Sequence, residues 1–581
     1  LSKMLHSFSS YSTDHFRKDL LAGIIVGVIA LPLGMAFAIA SGVKPEYGIY
    51  TTIIAGILIS IFGGSNYQIG GPTGAFVPVL LGIVMAYGYQ NLLIAGFMAG
   101  VLLLLMGLLK LGGLIKFIPR PVIIGFTSGI AVIIFSGQIA NFLGLRGVEQ
   151  HEDFLSNMKE IIIHLDTMSV YSIATALICF FFMIVTPKFF PKIPSPLIGL
   201  LASSLAAAYF FPGQVATIAS TFGEIPHSLP RFQVPQFTFE KVHMLLGPAF
   251  TIAVLGAIES LLSAVVADGM TGTKHNSNRE LAGQGIANMI TPLFGGIAAT
   301  GAIARTATNI KSGAVSPVSG VVHGLAVLLV LVLFAPYASA IPLASMAPIL
   351  MRVAWNMSER KEFSRILLTK TSDSLILCTT FVLTVFANLT IAVEAGLILS
   401  LILFVRRMGA SLKIEQVLPD PEDKKVRPAA IEEGHHCPQI SLFTVEGPLF
   451  FGAAQLFEHR IMEAIHYRPN VLILRMSKVP YMDTTGETIL ADIIKDFREQ
   501  GGLLLLSGMQ PQPAEVIKRT KLLDLIGAEH IFSHTGEAIT FALTKLNKNK
   551  CLGCKQSAFH ECAKLSIGNE KETKTDKGLL A

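Results

Sequence analysis

The chain has 581 residues, of which 52% are hydrophobic and only 14% charged. Soluble domains carry about 25% charged residues, so most of this sequence does not fit a water-soluble fold. The formal net charge of +6 is modest, and much of it lies on loops where membrane topology accounts for it, so no nucleic-acid partner is inferred.

Residues 1–18 form a polar leading segment. It has no short apolar core ahead of a small-residue cleavage site and does not read as a signal peptide. Within residues 19–407 the apolar pattern predicts fourteen segments, beginning near Leu20, Ile49, Thr73, Leu92, Pro121, Val170, Leu197, Leu245, Leu281, Thr300, Val315, Ala340, Asp373 and Ile391. Most approach the roughly 20 residues a helix needs to cross a bilayer. Those starting at Thr73, Leu281 and Thr300 are short for a full span.

Basic residues follow the even-numbered segments: Lys110, Lys116 and Arg120, then Lys188 and Lys192, Lys274 and Arg279, Lys311, Arg352 through Lys370, and finally Arg406 and Arg407. The loop at 144–169 instead sets Arg146 and Lys159 against Glu149, Glu152, Asp153, Glu160 and Asp166. Positive charge collects on the cytoplasmic side, so both termini are expected there.

Two of the short segments open on small residues. Tyr67-Gln68-Ile69-Gly70-Gly71-Pro72-Thr73-Gly74-Ala75-Phe76 leads into the third segment, and Phe294-Gly295-Gly296-Ile297-Ala298-Ala299-Thr300-Gly301-Ala302-Ile303-Ala304-Arg305 into the tenth, the third of a second set of seven. Interrupted segments at matching places in two halves point to a transporter site. Two helix starts meeting at one point would aim free N–H groups and positive dipole ends at an anion. The same glycines also suit close helix packing.

Glu259 lies in the eighth segment, with Gly256, Ser260 and Ser263 at helical spacing beside it. A carboxyl in lipid is costly, which makes it a candidate for proton binding and release. The alternative is a structural ion pair with Arg305. Arg305 has the matching choices, substrate counter-ion or partner of Glu259. Asp268, Lys274, His275, Asn276, Asn278 and Glu280 read as a loop that caps and locks two helices. Gln138 and Asn141 read as interhelical hydrogen-bonding groups, and Glu394 as structural or lipid-edge.

Residues 408–436, with Pro419, Pro421 and Pro428, read as a linker. Residues 437–547 alternate strands and amphipathic helices, a small α/β domain, with ISLFTVEGPLFFGAAQ expected to hold a strand pair. Residues 548–581 form a charged tail, expected to be disordered. There Cys551, Cys554, His560 and Cys562 are a weak zinc pattern, and no metal is assigned. No cofactor is called for, and the chain does not read as an enzyme.

The runs ALPLGMAFAIASGVKPEYGIY, GGPTGA and GAIESLLSAVVADGMTGTKHNSNRELAGQGIAN resemble the SulP family of anion transporters. The stretch from Gly256 to Glu359, with ATGAIARTATNIKSGAVSPVSGVVHG and MRVAWNMSE, most resembles the bacterial proton-coupled C4-dicarboxylate transporters of that family. The resemblance implies fourteen spans in a seven-plus-seven inverted repeat of the uracil-permease type, with core and gate domains, elevator-like movement, a homodimer and a bacterial inner-membrane location. It implies an anion held by Phe37, Thr73, Gly74, Ala75, Ala302, Ile303, Ala304 and Arg305, with Ser260 and Ser263 in support. Leu33 is apolar where many relatives are polar. Sodium-coupled relatives carry Asp at the place of Glu259 and lack the arginine, so Glu with Arg points to proton coupling. The tail domain resembles a STAS domain, in which Asp483-Thr484-Thr485-Gly486 matches a loop phosphorylated in anti-anti-sigma factors. Thr484 and Thr485 are therefore possible phosphorylation sites, while a helix cap explains the same residues. The expected function is proton-coupled uptake of a small dianion, sulfate or a C4-dicarboxylate. The alternatives are an uncoupled anion channel or exchanger for chloride or bicarbonate, and a membrane-bound regulator signalling through its tail.

Overall fold

Each of the fourteen apolar segments forms a helix. In the computed structural model these are α1 (Thr13–Ala40), α2 (Pro45–Phe62), α3 (Val77–Tyr87), α4 (Tyr89–Leu108), α5 (Arg120–Gly137), α6 (Val170–Phe189), α7 (Ser195–Phe210), α8 (Leu246–Thr271), α9 (Ser277–Ile290), α10 (Ile303–Lys311), α11 (Val318–Ser339), α12 (Leu343–Met357), α13 (Ser372–Phe386) and α14 (Leu389–Ala410). The structure describes the chain apart from residues 1–10, 114–117, 152, 191–193, 227–229, 388, 420–425, 428–436, 467–468, 553, 555–557, 560–561 and 563–581. Lys116, Glu152, Lys192, Pro421, Pro428 and His560, noted in the sequence, lie outside the described residues.

Lipid offers no partner for a free N–H or carbonyl, so an apolar segment closes its own hydrogen bonds as a helix. Proline marks several starts, at the first or second position of α2, α5 and α7, where its missing N–H costs nothing. Seven helices among the described residues are long and apolar enough to cross a membrane by length and composition. The helices α3, α9 and α10 are short, with 11, 14 and 9 residues, as the interrupted pattern requires.

Residues 1–400 form one compact unit and 401–581 another. In the first, α1–α4 pack with α8–α11 as a core, while α5–α7 pack with α12 and α13 as a gate, which α14 joins through Gly396 against Thr380 and Val122. Core helices approach backbone to backbone. A Cβ on Gly285 of α9 would lie 2.4 Å from the Leu104 nitrogen of α4, and one on Gly100 of α4 would lie 2.6 Å from the Met289 nitrogen. Such approach is how small residues hold helices together where lipid removes the hydrophobic drive. The two halves meet at a two-stranded antiparallel pair, β1 (Gly70–Gly71) and β2 (Thr300–Gly301), with Gly70 opposite Gly301 and Gly71 opposite Thr300. Each strand precedes a half-helix, so the antiparallel pairing is the local form of an inverted repeat.

In the second unit a five-stranded sheet runs β3 (Lys413–Gln416), β4 (Ile440–Glu446), β5 (Val471–Lys478), β6 (Leu503–Ser507) and β7 (Ile531–Phe532), with β3 antiparallel and the rest parallel. The helices α15 (Ala454–His466), α16 (Thr484–Glu499), α17 (Pro511–Arg519) and α18 (Thr535–Thr544) connect and flank it. Two expectations change here. The stretch read as a linker contributes β3, because Lys413–Gln416 pairs with Phe443–Glu446. The expected strand pair is one strand, since Leu449 beyond β4 makes only an isolated bridge to Met482.

Candidate functional site

The extended segment before α3 lies along α10 and is tied to it at three places. Asn309 Nδ2 donates to the Tyr67 carbonyl at 3.0 Å, the Ile69 N–H donates to Thr306 Oγ1 at 3.0 Å, and Arg305 Nη2 donates to the Pro72 carbonyl. Residues 305, 306 and 309 share one face of α10, which is why one short helix can hold a whole strand. The Ala302 N–H donates to the Ile69 carbonyl at 2.8 Å and closes the ladder.

Two glycines permit this approach. Gly71 has φ +153, and a Cβ there would lie 2.5 Å from Arg305 Nη1. A Cβ on Gly301 would lie 1.7 Å from Gln68 Nε2.

Neither half-helix start is capped by a side chain, at Thr73 or at Ala302. Thr73 Oγ1 and Arg305 Nη1 are buried and have no hydrogen-bond partner among the described residues. Gly74 and Ala75 are buried, Ala302 is 6% exposed, and Ile303 and Ala304 are exposed. Phe37 of α1 closes one side. Its Cε1 would lie 3.3 Å from a Cβ on Gly74, with Ile134 Cδ1 of α5 at 3.2 Å and Met357 Sδ of α12 at 3.0 Å. The structure thus brings Phe37, Thr73, Gly74, Ala75 and Arg305 to one region, roofed by gate side chains.

Helix α8 backs this region. Thr300 Oγ1 donates to the Gly256 carbonyl at 3.0 Å, and Ser263 Oγ donates to Thr306 Oγ1 at 3.1 Å. Glu259 stands between these contacts on the same helical face, buried at 6% exposure. Among the described residues it forms no ion pair with Arg305 within 4.0 Å, so in this arrangement the arginine spends one nitrogen on Pro72 rather than on the acid. Ser260 accepts from Gln68 Nε2 at 3.0 Å and donates to Glu280 Oε1 at 3.2 Å.

Sequence reasoning gave no individual role to Gln68, Thr306, Asn309 or Met357. Thr306, next to Arg305, and Asn309, one turn on, form a polar stripe with it, a signal present in the quoted run. Nothing local marks Met357, which arrives from a segment more than 280 residues away from Gly74. Gln138 and Asn141 line a cavity of about 580 Å³ running along α3 toward Gln150. Glu394 is exposed on α14. The 268–280 loop is a lock, as expected: Asn276 caps α9 through the Arg279 N–H, and Asn278 accepts from the Gly112 N–H at 2.9 Å.

In the tail unit, Asp483 caps α16, accepting from the Gly486 N–H at 2.8 Å and the Phe451 N–H at 3.0 Å. Thr484 and Thr485 are exposed beside it. Burial pushes the Cys437 and Cys562 thiols up. Cys551 and Cys554 share a turn closed by the Cys554 N–H on the Cys551 carbonyl, and no three His, Cys, Asp or Glu side chains among the described residues are placed to hold a metal ion.

Two half-helix starts opposed inside an inverted-repeat bundle, with buried donors left unspent, define a membrane transporter for anions. The chain matches the Sulfate permease family over residues 16–380 and the STAS domain over 433–538, and it belongs to the sulfate permease family. It is 57% identical over 530 residues to the Bacillus subtilis protein named "Putative sulfate transporter YvdB", covering 91% of this chain and 98% of that one. It is 30% identical over 559 residues to the bicarbonate transporter BicA of Picosynechococcus, covering 91% and 95%. The fold matches the inward-facing murine anion transporter Slc26a9 with a TM-score of 0.84 at 18% identity, over 92% of this chain and 93% of that one.

Proposed function

We propose that this transporter takes up a small dianion, sulfate or a C4-dicarboxylate, together with a proton. The anion sits between the starts of α3 and α10, against Phe37, Thr73, Gly74, Ala75, Ala302, Ile303, Ala304 and Arg305. The carrying observation is the pair of buried, unpartnered donors, Thr73 Oγ1 and Arg305 Nη1, beside two uncapped helix starts. An unmade hydrogen bond on a buried donor is costly, and an anion relieves it. Glu259 carries the proton, since it is a buried acid on the same α8 face as the contacts to Thr300 and Thr306 on the α10 side of the site. The core moves against the gate in an elevator-like step, with Met357 and Ile134 as the gate surface over Gly74. We place the protein as a homodimer in a bacterial inner membrane with both termini cytoplasmic.

The test is uptake into proteoliposomes of labelled sulfate, succinate, fumarate, aspartate and bicarbonate, each with and without an imposed pH gradient. Accumulation of a dianion should follow the gradient in the native protein, and Glu259→Gln should abolish that dependence. Accumulation by Glu259→Gln that keeps its pH response would reject the role of this residue. The bicarbonate relative supports a second reading, uncoupled anion exchange, which the panel reads as bicarbonate flux indifferent to the gradient.

A further inference from the structure

A second polar cavity lies in the core, at the ends of α2, α8 and α11. Its volume is about 440 Å³, within the range of small-ligand pockets. Two cationic side chains line it, Lys274 from the α8–α9 connection and Arg279 from the first turn of α9, together with His275 and the backbone of Gly64 and Ser65. The acid in its wall, Asp268, is already engaged. It accepts from the His275 N–H at 3.0 Å and bonds His275 Nδ1 at 2.7 Å. Lys274 and Arg279 form no ion pair among the described residues. Arg279 reaches only the Phe62 and Ile61 carbonyls, at 3.4 and 3.5 Å, from Nε and Nη2. Two full cations therefore face a pocket whose acid belongs to a histidine.

The cavity wall is also wired to the transport site. Glu280 is 0% exposed and accepts from the Gly64 N–H at 2.8 Å and the Ser65 N–H at 3.2 Å, both in the cavity wall. Its other oxygen accepts from Ser260 Oγ, which accepts from Gln68 Nε2, and Gln68 abuts Gly301 at the start of α10. A chain of hydrogen bonds thus runs from the Gly64–Ser65 turn to Gln68, which packs against Gly301 just ahead of α10.

We propose that this cavity binds a phosphate-bearing anion, a free phosphate compound or the headgroup of an anionic lipid, and that its occupancy adjusts the transport site through Glu280, Ser260 and Gln68. Arginine and lysine without acidic partners, lining one pocket, are the chemistry that takes a phosphate. Basic pockets between membrane helices take lipid headgroups by the same forces.

The test uses the purified full-length protein. Its thermal unfolding is followed with inorganic phosphate against chloride at matched ionic strength, and with short-chain phosphatidylglycerol against phosphatidylcholine. Saturating ligand should raise the midpoint by about 2–4 °C, the size expected for a ligand in large excess over its Kd. Lys274→Gln with Arg279→Gln should remove the shift. A shift with phosphate identifies a free anion as sufficient, and a shift with phosphatidylglycerol alone identifies the lipid. No shift with either probe, or a shift that survives the double variant, overturns the site. Should the double variant not fold, Lys274→Gln alone serves, because its side chain is exposed and forms no ion pair among the described residues; an unchanged midpoint titration in that variant is equally fatal. Uptake then reads the wiring: bound ligand should change the KM for the transported anion at least about twofold in the native protein and not in the double variant. A midpoint shift without a KM change leaves the pocket standing and overturns the coupling. The midpoint does not depend on transport, so its failure is separate from failure of the proposed function.

Discussion

Arg305 does two jobs with two nitrogens. Nη2 holds the Pro72 carbonyl and so fixes the end of the segment leading into α3, while Nη1 is buried without a partner. Arg305→Ala removes both. It leaves a buried carbonyl unsatisfied, at a cost of about 1–3 kcal/mol, and removes the charge at the proposed anion site. Uptake should fall by at least about tenfold, the equivalent of one good charge-assisted contact. Arg305→Lys keeps the charge without the forked geometry, so it should recover part of the anion binding and little of the stability. Measuring uptake and unfolding midpoint on both variants separates the two jobs; equal loss of uptake in both would mean that geometry rather than charge matters. Gly301→Ala tests the same joint from the other side. Its Cβ would fall 1.7 Å from Gln68 Nε2, so Gln68 must leave Ser260. The overpacking should cost about 1–3 kcal/mol, visible as a lower midpoint, with weaker uptake following.

At the scale of elements, what matters is that a nine-residue helix is held where it is. Thr306 is the centre of that hold, accepting from the Ile69 N–H at 3.0 Å and from Ser263 Oγ at 3.1 Å. Thr306→Val keeps the shape and removes the one oxygen that accepts both bonds. It should destabilise the core by about 1–3 kcal/mol and raise the KM for the anion more than it lowers the maximal rate, since the half-helix start loses its register while the gate is untouched. A changed maximal rate at constant KM would speak instead for a role in movement. The two interrupted helices were legible in the sequence because glycine, proline and threonine cluster where a continuous helix should run. Their partners were less so. A polar stripe at residues 305, 306 and 309 is visible once α10 is placed, but Met357 over Gly74 and Glu280 under Gly64 depend on contacts across hundreds of residues, which no local pattern encodes. The possible pairing of Glu259 with Arg305 followed from charge alone. Within the fold Glu259 lies on the α8 face that contacts Thr300 and Thr306, and the arginine holds the Pro72 carbonyl.

The whole molecule is two units with separate apolar cores. The membrane unit's largest cluster draws on residues between Ala30 and Ala354, and the clusters of the tail unit on residues from Leu412 onward. The fourteen helices could be read because each is an apolar run set off by polar or glycine- and proline-bearing residues, most of them near the length a bilayer demands, and the tail could be read because strand and helix periodicities alternate. The strand β3 was hidden, since Lys413–Gln416 is only four residues long with Ile414 its one apolar residue and borders a proline-rich stretch, so its place in the sheet comes only from pairing with β4. Separate cores carry a thermodynamic consequence. Leu474 is 0% exposed at the centre of the tail sheet, between Phe443 on β4 and Leu506 on β6. Leu474→Ala deletes buried methyl groups and leaves a cavity, which costs about 2–5 kcal/mol in a close-packed core. In calorimetry of the purified full-length protein, unfolding should resolve into two transitions, because a cooperative unit extends as far as its shared core. The substitution should lower one of them and leave the other, with the transition that stays being the one raised by transported anion. If the substitution instead moves a single transition that the anion also moves, the two cores melt together and the units are thermodynamically one.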